Sequence, residues 1–131
     1  MQRYPYTDLV MVAALLVYIW TAFKVTWARS RHQVVAPATD GPPEFQRIFR
    51  VQVNTLEQMI LFLPSLWLFA SAWGDFKAAF IGVFWPIGRV IYAIGYTAAA
   101  EKRGPGFGIA FLVSVILLLG GLVGTVMNMM Q

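Results

Sequence analysis

The chain has 131 residues, of which 59% are hydrophobic and 12% are charged, and its formal net charge is +4. Soluble domains carry about a quarter charged residues, so this composition excludes a soluble globular protein and indicates an integral membrane protein. The apolar residues form long blocks rather than the alternating segments of about 10 residues that a membrane barrel needs, which predicts an all-α fold. One domain, residues 1–131, has room for four spans of about 20 residues each.

The first predicted helix covers residues 6–28, and Arg29 follows it. Its block lacks a small-residue cleavage site and further spans follow, so we interpret it as a retained helix rather than a signal peptide. Lys24 can extend from this helix toward the headgroups. Residues 36–43 contain three prolines and a glycine, which cannot continue a helix and predict a rigid loop.

Three more helices are predicted at residues 44–72, 76–99 and 105–129. Glu44 suits the N-terminus of the second helix, because a carboxylate there interacts favourably with the helix dipole. Gly104 precedes the last helix, which contains no charged residue. The four helices together predict a membrane-spanning four-helix bundle.

Cationic residues concentrate in the loops between helices one and two and between helices three and four, with their flanks. They are Lys24, Arg29, Arg31, Arg47, Arg50, Lys102 and Arg103. The other side has Arg3 and Lys77, so the excess of Lys and Arg predicts that the first and third loops are cytoplasmic. We interpret the positive net charge as this topology signal and predict no nucleic-acid partner.

Polar residues inside the predicted spans form two stripes with helical spacing. They are Arg47, Arg50, Asn54 and Glu57 on helix two, and Arg89, Tyr92 and Tyr96 on helix three. Charged side chains at membrane depth are costly and mark a binding site or a buried ion pair. Arginine fits a carboxylate, asparagine offers a donor and an acceptor, and glutamate can receive an ammonium group, so the stripes suit a zwitterionic ligand.

Structural alternatives stay open at this point. Glu57 can neutralise Arg50 or Arg89 and thereby hold two helices together. Tyr92 and Tyr96 are also explained as aromatic residues near a membrane interface. Gln52 lies about 200° around the helix from Arg50, so it either makes a helix-to-helix hydrogen bond or serves a neighbouring subunit.

The chain contains no cysteine. This excludes disulfides, thiolate metal sites and a cysteine nucleophile, so any thiol chemistry must use sulfur from a ligand. No metal site is predicted.

A resemblance to a known family rests on motifs spread over most of the chain. They are Gly41-Pro42-Pro43-Glu44-Phe45, Arg47, Arg50-Val51-Gln52-Val53-Asn54, Glu57, Phe62-Leu63-Pro64-Ser65-Leu66-Trp67, Arg89, Tyr92, Gly95-Tyr96 and Arg103. With these motifs the sequence resembles the MAPEG family, the membrane-associated proteins in eicosanoid and glutathione metabolism. The resemblance implies a homotrimer whose sites lie at the subunit interfaces and open toward the cytoplasmic half of the membrane.

The resemblance also implies glutathione as the co-substrate. The implied glutathione-binding residues are Arg50, Asn54, Glu57, Tyr92 and Tyr96 of one subunit, with Arg29 and Gln52 of the next. Arg103 matches the arginine that activates the glutathione thiol in the leukotriene C synthase branch, which makes it the expected catalytic residue. A nearby guanidinium favours the thiolate, whereas composition alone favours a cytoplasmic anchor beside Lys102.

Two positions depart from the leukotriene C synthase pattern. Ser30 stands where that branch has a second arginine, and the next cation is Arg31. Gln58 stands where that branch has a tyrosine. A specialised leukotriene substrate is therefore not implied, and the compact chain without a long C-terminal tail is similar to bacterial members with a broader detoxifying role.

The resemblance thus predicts a bacterial inner-membrane glutathione transferase that conjugates glutathione to hydrophobic electrophiles arriving from the lipid. A peroxidase activity on lipid hydroperoxides is the second activity that it implies. Two alternatives stay open. One is a non-catalytic lipid-binding protein of the same family. The other is a small proton-coupled drug exporter that uses Glu57 as its membrane carboxylate.

Overall fold

The computed structural model describes residues 3–131, which form helices joined by short connections. The elements are α1 (Pro5–His32), α2 (Pro43–Trp73), α3 (Asp75–Gly82), α4 (Phe84–Ala98), a 3-10 turn (Ala100–Arg103) and α5 (Gly104–Met129). Within this range, four helical stretches are long and apolar enough to cross a membrane: Pro5–His32, Pro43–Trp73, Asp75–Ala98 and Ala100–Met129. These findings confirm the all-helical fold and the four candidate spans, while the homotrimer stays a prediction.

Favourable polar interactions stabilise both ends of helix α1. At its start, the backbone N–H groups of Tyr6 and Thr7 donate hydrogen bonds to the Asp75 carboxylate at 3.0 and 2.8 Å. These bonds satisfy N–H groups that the first turn of a helix otherwise leaves without partners. At its end, basic residues in the last turn suit the negative end of the helix dipole, and the helix runs on to His32 instead of ending at residue 28.

Helix α2 begins at Pro43, because proline lacks the backbone N–H that the first helical position does not use. It passes through Pro64 and ends before Gly74, whose φ of 102° is a conformation that favours glycine. The predicted range of 44–72 therefore lies one residue inside each observed end. This helix is the central element of the bundle, since it packs against α1, α4 and α5.

The third span differs from its prediction as one helix over residues 76–99. It consists of α3 and α4, with Val83 between them in a helix-like conformation. Pro86 explains the interruption, because it has no N–H to donate to the carbonyl of Gly82, four residues earlier. Val83 keeps helical backbone angles (φ −61°, ψ −25°), and the two segments still make one candidate span, Asp75–Ala98.

The main core lies around α2, where buried residues of α1, α3, α4 and α5 pack together. Phe62 of α2 stacks on Trp85 of α4 with ring centroids 4.5 Å apart and planes 6° apart, and both side chains are fully buried. Helix α5 approaches α4 closely at Gly106, where any Cβ would overlap the backbone nitrogen of Tyr92. This approach holds the start of α5 beside the tyrosines of α4.

Candidate functional site

The candidate functional site lies where the N-terminal half of α2 meets the C-terminal end of α4. Arg47 of α2 ties these two helices together, because its Nε donates a hydrogen bond of 3.2 Å to the carbonyl of Thr97. The 3-10 turn follows α4 directly and packs against it. Residues from α2, α4, the 3-10 turn and α5 are thereby brought to one end of the bundle.

A cavity of about 380 Å³ opens at this end. Its lining residues are Arg50, Asn54, Tyr92, Tyr96, Arg103, Gly104 and Phe107. The structure therefore brings together five residues that the sequence pointed to, from helices that are far apart in the chain. Gly104 and Phe107 were not predicted to line it. The spacing of four residues between Arg103 and Phe107 could have indicated Phe107, because residues four apart lie on the same face of a helix.

The aromatic wall of the cavity is built on α4 and α5. Tyr92 and Tyr96 are one helical turn apart and their rings pack edge to face with centroids 5.5 Å apart. Phe107 packs against Tyr92 at a centroid distance of 6.2 Å. Tyr92 is buried while Tyr96 is half-buried, so the wall runs from the interior toward the mouth of the cavity.

Two cations, Arg50 and Arg103, stand at the open side of this cavity, and both are exposed. The Arg103 guanidinium lies over the ring of Tyr96, 5.7 Å from the ring centroid, and its Nη1 donates to the carbonyl of Ala100 at 3.0 Å. Arginine side chains suit carboxylates because their planar fork offers several donors. The cavity can therefore receive an anionic ligand.

Arg89 lies behind the cavity and is completely buried. Its Nη2 donates to Asn54 Oδ1 at 3.0 Å and to Thr55 Oγ1 at 2.8 Å. Its guanidinium also lies 4.1 Å from the centroid of the Tyr92 ring. Arg89 thus links the two predicted polar stripes through an amide and a hydroxyl rather than through Glu57.

Glu57 is exposed and is not among the residues that line the cavity of its own protomer. Within residues 3–131, the ion pair is that of Glu44 with Arg31 at 3.4 Å, and His32 Nε2 lies 3.9 Å from the same carboxylate. The alternative in which Glu57 neutralises Arg50 or Arg89 to hold helices together is therefore not what this protomer forms. A contact between Glu57 and glutathione stays a prediction.

The two residues predicted to reach a neighbouring subunit also lie away from this cavity. Arg29 Nη1 donates to the carbonyls of Ala38 at 2.7 Å and Val34 at 3.4 Å, which fastens the loop between α1 and α2. Gln52 is half-buried on α2 and does not line the cavity. Their roles in glutathione binding stay predictions.

The structure shows the contacts at both positions that depart from the leukotriene C synthase pattern, namely the cation Arg31 that follows Ser30, and Gln58. Arg31 contacts Glu44 at the start of α2 and lies over the Trp27 ring at 5.1 Å, so it joins α1 to α2 instead of facing the cavity. The Oε1 atom of Gln58 is buried and finds no hydrogen-bond partner within the described protomer. Gln58 of α2 therefore has a side-chain oxygen that can still accept a hydrogen bond.

A larger cavity of about 790 Å³ involves other parts of α1 and α2. Its lining residues are Arg3, Tyr4, Thr7, Asp8, Met11, Trp67 and Ser71. It contains none of the predicted site residues, and Thr7 places it beside Asp75, at the end of the bundle away from Arg103. Across the described residues, no group of three or more His, Cys, Asp or Glu side chains could hold a metal ion.

Comparison with known proteins gives a consistent result. A protein of Synechocystis sp. described as uncharacterized is 43% identical over 123 residues, covering 94% of this chain and 90% of that protein. Microsomal glutathione S-transferase 2 of Mus musculus is 41% identical over 103 residues, covering 76% of this chain and 70% of that protein. Leukotriene C4 synthase of Mus musculus is 37% identical over 94 residues, covering 72% of this chain and 63% of that enzyme.

The MAPEG family matches residues 7–123, which include α2, α4 and every residue that lines the cavity around Arg50 and Arg103. The relatives in this family include enzymes named for glutathione transfer and for leukotriene C4 synthesis. The predicted resemblance is confirmed, and this chain belongs to the MAPEG family.

Proposed function

We propose that this protein is a membrane-bound glutathione transferase, which joins the sulfur of glutathione to hydrophobic electrophiles. One observation carries the proposal: the cavity places two arginines and an asparagine beside two tyrosines, in a chain whose remaining outer surface is largely apolar. Glutathione is a charged tripeptide, so it needs such polar partners at the membrane. Its electrophilic co-substrates are apolar and reach the site from the lipid.

Arg50 and Asn54 bind glutathione through its carboxylates and peptide groups in this proposal, and Tyr92 and Tyr96 form the wall beside it. The tyrosine hydroxyls add donors that suit the same oxygen atoms. Glu57 would receive the ammonium group, although it lies outside the cavity of its own protomer. That contact therefore requires glutathione to extend beyond the described cavity toward the α2 surface.

Arg103 is the proposed catalytic residue, acting on the glutathione thiol. A free thiol is mostly protonated at neutral pH, because its pKa is about 8.5. The Arg103 guanidinium stabilises the thiolate, the thiol proton passes to solvent, and the sulfur then attacks the electrophilic carbon. A carbon–sulfur bond forms while the leaving group departs with the bonding electron pair, so no oxidant or reductant is required.

The active assembly in this proposal is a homotrimer, in which Arg29 and Gln52 of one subunit approach the glutathione of the next. Arg29 Nη1 is already bonded to loop carbonyls, so contacts with a neighbouring ligand fall to its other nitrogens. The exposed apolar residues of α2, with Ile60 at 72% exposure, provide a surface that a second copy or lipid would cover.

Co-expression of two inactive variants tests this shared site. In a trimer, a subunit with Arg29→Ala and a subunit with Arg50→Ala can together form an intact site at their common interface. Mixed trimers should recover a fraction of the transferase activity that neither variant shows alone. Mixed trimers as inactive as each parent would count against a site shared between subunits.

Purified protein in detergent or nanodiscs allows a direct test of the transferase. Isothermal titration should detect glutathione binding, and a spectrophotometric assay with 1-chloro-2,4-dinitrobenzene should detect the conjugate. A protein that neither binds glutathione nor forms the conjugate would refute the proposal. Glutathione binding without conjugation of any electrophile would instead favour the non-catalytic member of the family, and proton-gradient-dependent drug uptake into vesicles would favour the exporter.

A peroxidase activity belongs to the same proposal, because a glutathione thiolate can also attack the oxygen of a lipid hydroperoxide. Two glutathione molecules are then oxidised to the disulfide while the hydroperoxide is reduced to an alcohol and water. Cumene hydroperoxide is a suitable apolar substrate for this assay. Loss of both activities on changing Arg103 would indicate that they share one thiolate.

The proposed location is the inner membrane of a bacterium, with the loops after α1 and α4 in the cytoplasm. The absence of native cysteine makes single introduced cysteines clean reporters. In intact bacterial cells, a membrane-impermeant maleimide should label Met130→Cys but should label Thr39→Cys only after permeabilisation. The reverse pattern would invert the proposed topology.

A further inference from the structure

Arg89 makes an unusual pair of contacts at the back of the cavity. It is completely buried, and its Nη2 divides two hydrogen bonds between Asn54 Oδ1 at 3.0 Å and Thr55 Oγ1 at 2.8 Å. Its Nε and Nη1 atoms are buried and meet no hydrogen-bond partner within the described protomer. Among the side chains that line the cavity, Asn54 accepts a hydrogen bond from Arg89 through its carbonyl oxygen, and the Tyr92 ring contacts the Arg89 guanidinium.

The contact with Arg89 determines which way the Asn54 amide faces. Arginine carries donors and no acceptor, so the atom of Asn54 that faces it must be the carbonyl oxygen. The NH₂ group of the amide then points away from Arg89. Because Asn54 lines the cavity, its free donor group is left for the cavity side.

Helix packing by itself does not explain a guanidinium at this position. Burying a cation is costly, and no carboxylate among residues 3–131 pairs with Arg89. An apolar side chain of similar length would fill the same space without that cost. The contact between the guanidinium and the Tyr92 ring, at 4.1 Å, offsets part of the cost of burying the cation. That contact does not explain why Arg89 also bonds Asn54.

We propose that Arg89 is a positioning residue, which holds Asn54 as a hydrogen-bond donor toward a carboxylate or peptide carbonyl oxygen of bound glutathione. This inference rests on the proposed function and adds to it which ligand atoms the cavity recognises. With Arg50 and Arg103 also present, the nitrogen groups around the cavity all donate. The cavity therefore selects ligand oxygen atoms that accept, and the ligand's ammonium group lies elsewhere.

Changes at Asn54 test the direction of the hydrogen bond. Asn54→Asp keeps an acceptor for Arg89 but loses the donor, so the Kd for glutathione should rise about tenfold or more, while thermal stability stays equal or increases. Asn54→Ala loses the same donor without adding a charge and should raise the Kd by a similar factor. If Asn54 accepted from the ligand instead, the Asp variant would bind glutathione equally well or more tightly, which would overturn the proposal.

Changes around Arg89 test the positioning role. Arg89→Met removes both hydrogen bonds and releases the amide, so the Kd for glutathione should rise about threefold to tenfold. Thr55→Val removes the other acceptor of Arg89 and leaves the contact with Asn54, so it should lower the Tm and leave the Kd within about twofold. A Met variant with lower Tm and unchanged Kd would show a purely structural role and overturn the proposal.

A double-mutant cycle isolates the coupling between the two residues. In the Asn54→Ala background, Arg89→Met should not change the Kd further, because there is no amide left to orient. An equal loss in both backgrounds would overturn the positioning role. The Asn54→Asp measurement needs no change at Arg89, so the proposal stays testable even where the Met variant does not fold.

The same titrations separate this inference from the proposed function. Wild-type protein that binds no glutathione would refute the proposed function itself. Wild-type protein that binds glutathione, with the Asn54→Asp and Arg89→Met variants binding equally well in folded form, would refute only the role of Arg89.

Discussion

The guanidinium of Arg103 lies over the ring of Tyr96, with 5.7 Å between the guanidinium carbon and the ring centroid. Both side chains line the cavity of about 380 Å³, and Nη1 of Arg103 is fixed by the Ala100 carbonyl at 3.0 Å. The 3-10 turn and the tyrosine therefore hold the cation at the mouth of the cavity. A cation held in this position can stabilise an anion there without contributing to the packing of the bundle.

Changing Arg103 to Ala should suppress turnover while leaving glutathione binding largely intact. Without the guanidinium, the pKa of the bound thiol rises toward about 8.5, so less thiolate is present at neutral pH. We expect kcat at pH 7 to fall about 10- to 100-fold and to recover as the pH is raised toward about 9. A pH series of conjugation rates, paired with glutathione titrations, measures both effects.

Lys102→Ala is the matched control, because it removes a neighbouring exposed cation that does not line the cavity. Its kcat and pH profile should match those of the wild type. Unchanged turnover in Arg103→Ala would reject Arg103 as the group that activates the thiol.

Arg47 and Arg50 lie on the same face of α2 but should respond differently to substitution. Arg50 is exposed and lines the cavity, so Arg50→Met should raise the Kd for glutathione about 10- to 100-fold with little change in Tm. Arg47 bonds the Thr97 carbonyl, so Arg47→Met should lower the Tm with a much smaller effect on the Kd. Paired titration and melting experiments check this, and a larger Kd change in the Arg47 variant would contradict it.

Asp75 should matter for stability and not for glutathione. Its carboxylate accepts hydrogen bonds from two N–H groups in the first turn of α1, at the end of the bundle away from the cavity. Asp75→Ala leaves these N–H groups without their partner, so the Tm should fall by a few degrees. Asp8→Ala removes the acid that lies in the first turn of α1 itself and should lower the Tm less. A glutathione Kd altered by Asp75→Ala would contradict the expectation that Asp75 acts only on stability.

Gly106 and Gly108 should respond in opposite ways to alanine. A Cβ at Gly106 would overlap the backbone of Tyr92, so Gly106→Ala should push α5 from α4, lower the Tm and weaken glutathione binding together. A Cβ at Gly108 would meet no atom within 4 Å, so Gly108→Ala should keep or slightly raise the Tm, because alanine favours the helix. Thermal melts and glutathione titrations of both variants check this, and equal behaviour would contradict close packing at Gly106.

Much of the fold follows from local sequence properties. Hydropathy blocks located the candidate spans, and a spacing of three and four residues placed Arg50 with Asn54 and Tyr92 with Tyr96. The end of α1 at His32 and the interruption at Val83 were missed. The end of α1 was missed because its basic last turn extends the helix beyond the apolar block. The interruption was missed because Pro86 affects the backbone three residues earlier in the chain, at Val83.

The sequence by itself determined the four candidate membrane spans and the two polar stripes, and its resemblance to the family predicted which residues would bind glutathione. Only the tertiary structure decided that Arg89 bonds Asn54 and Thr55, and that Glu57 stays outside the cavity of its protomer. The physical reason is that helical periodicity is a property of one segment. Which donor meets which acceptor depends instead on the rotation and depth of neighbouring helices, and close packing at positions such as Gly106 sets both.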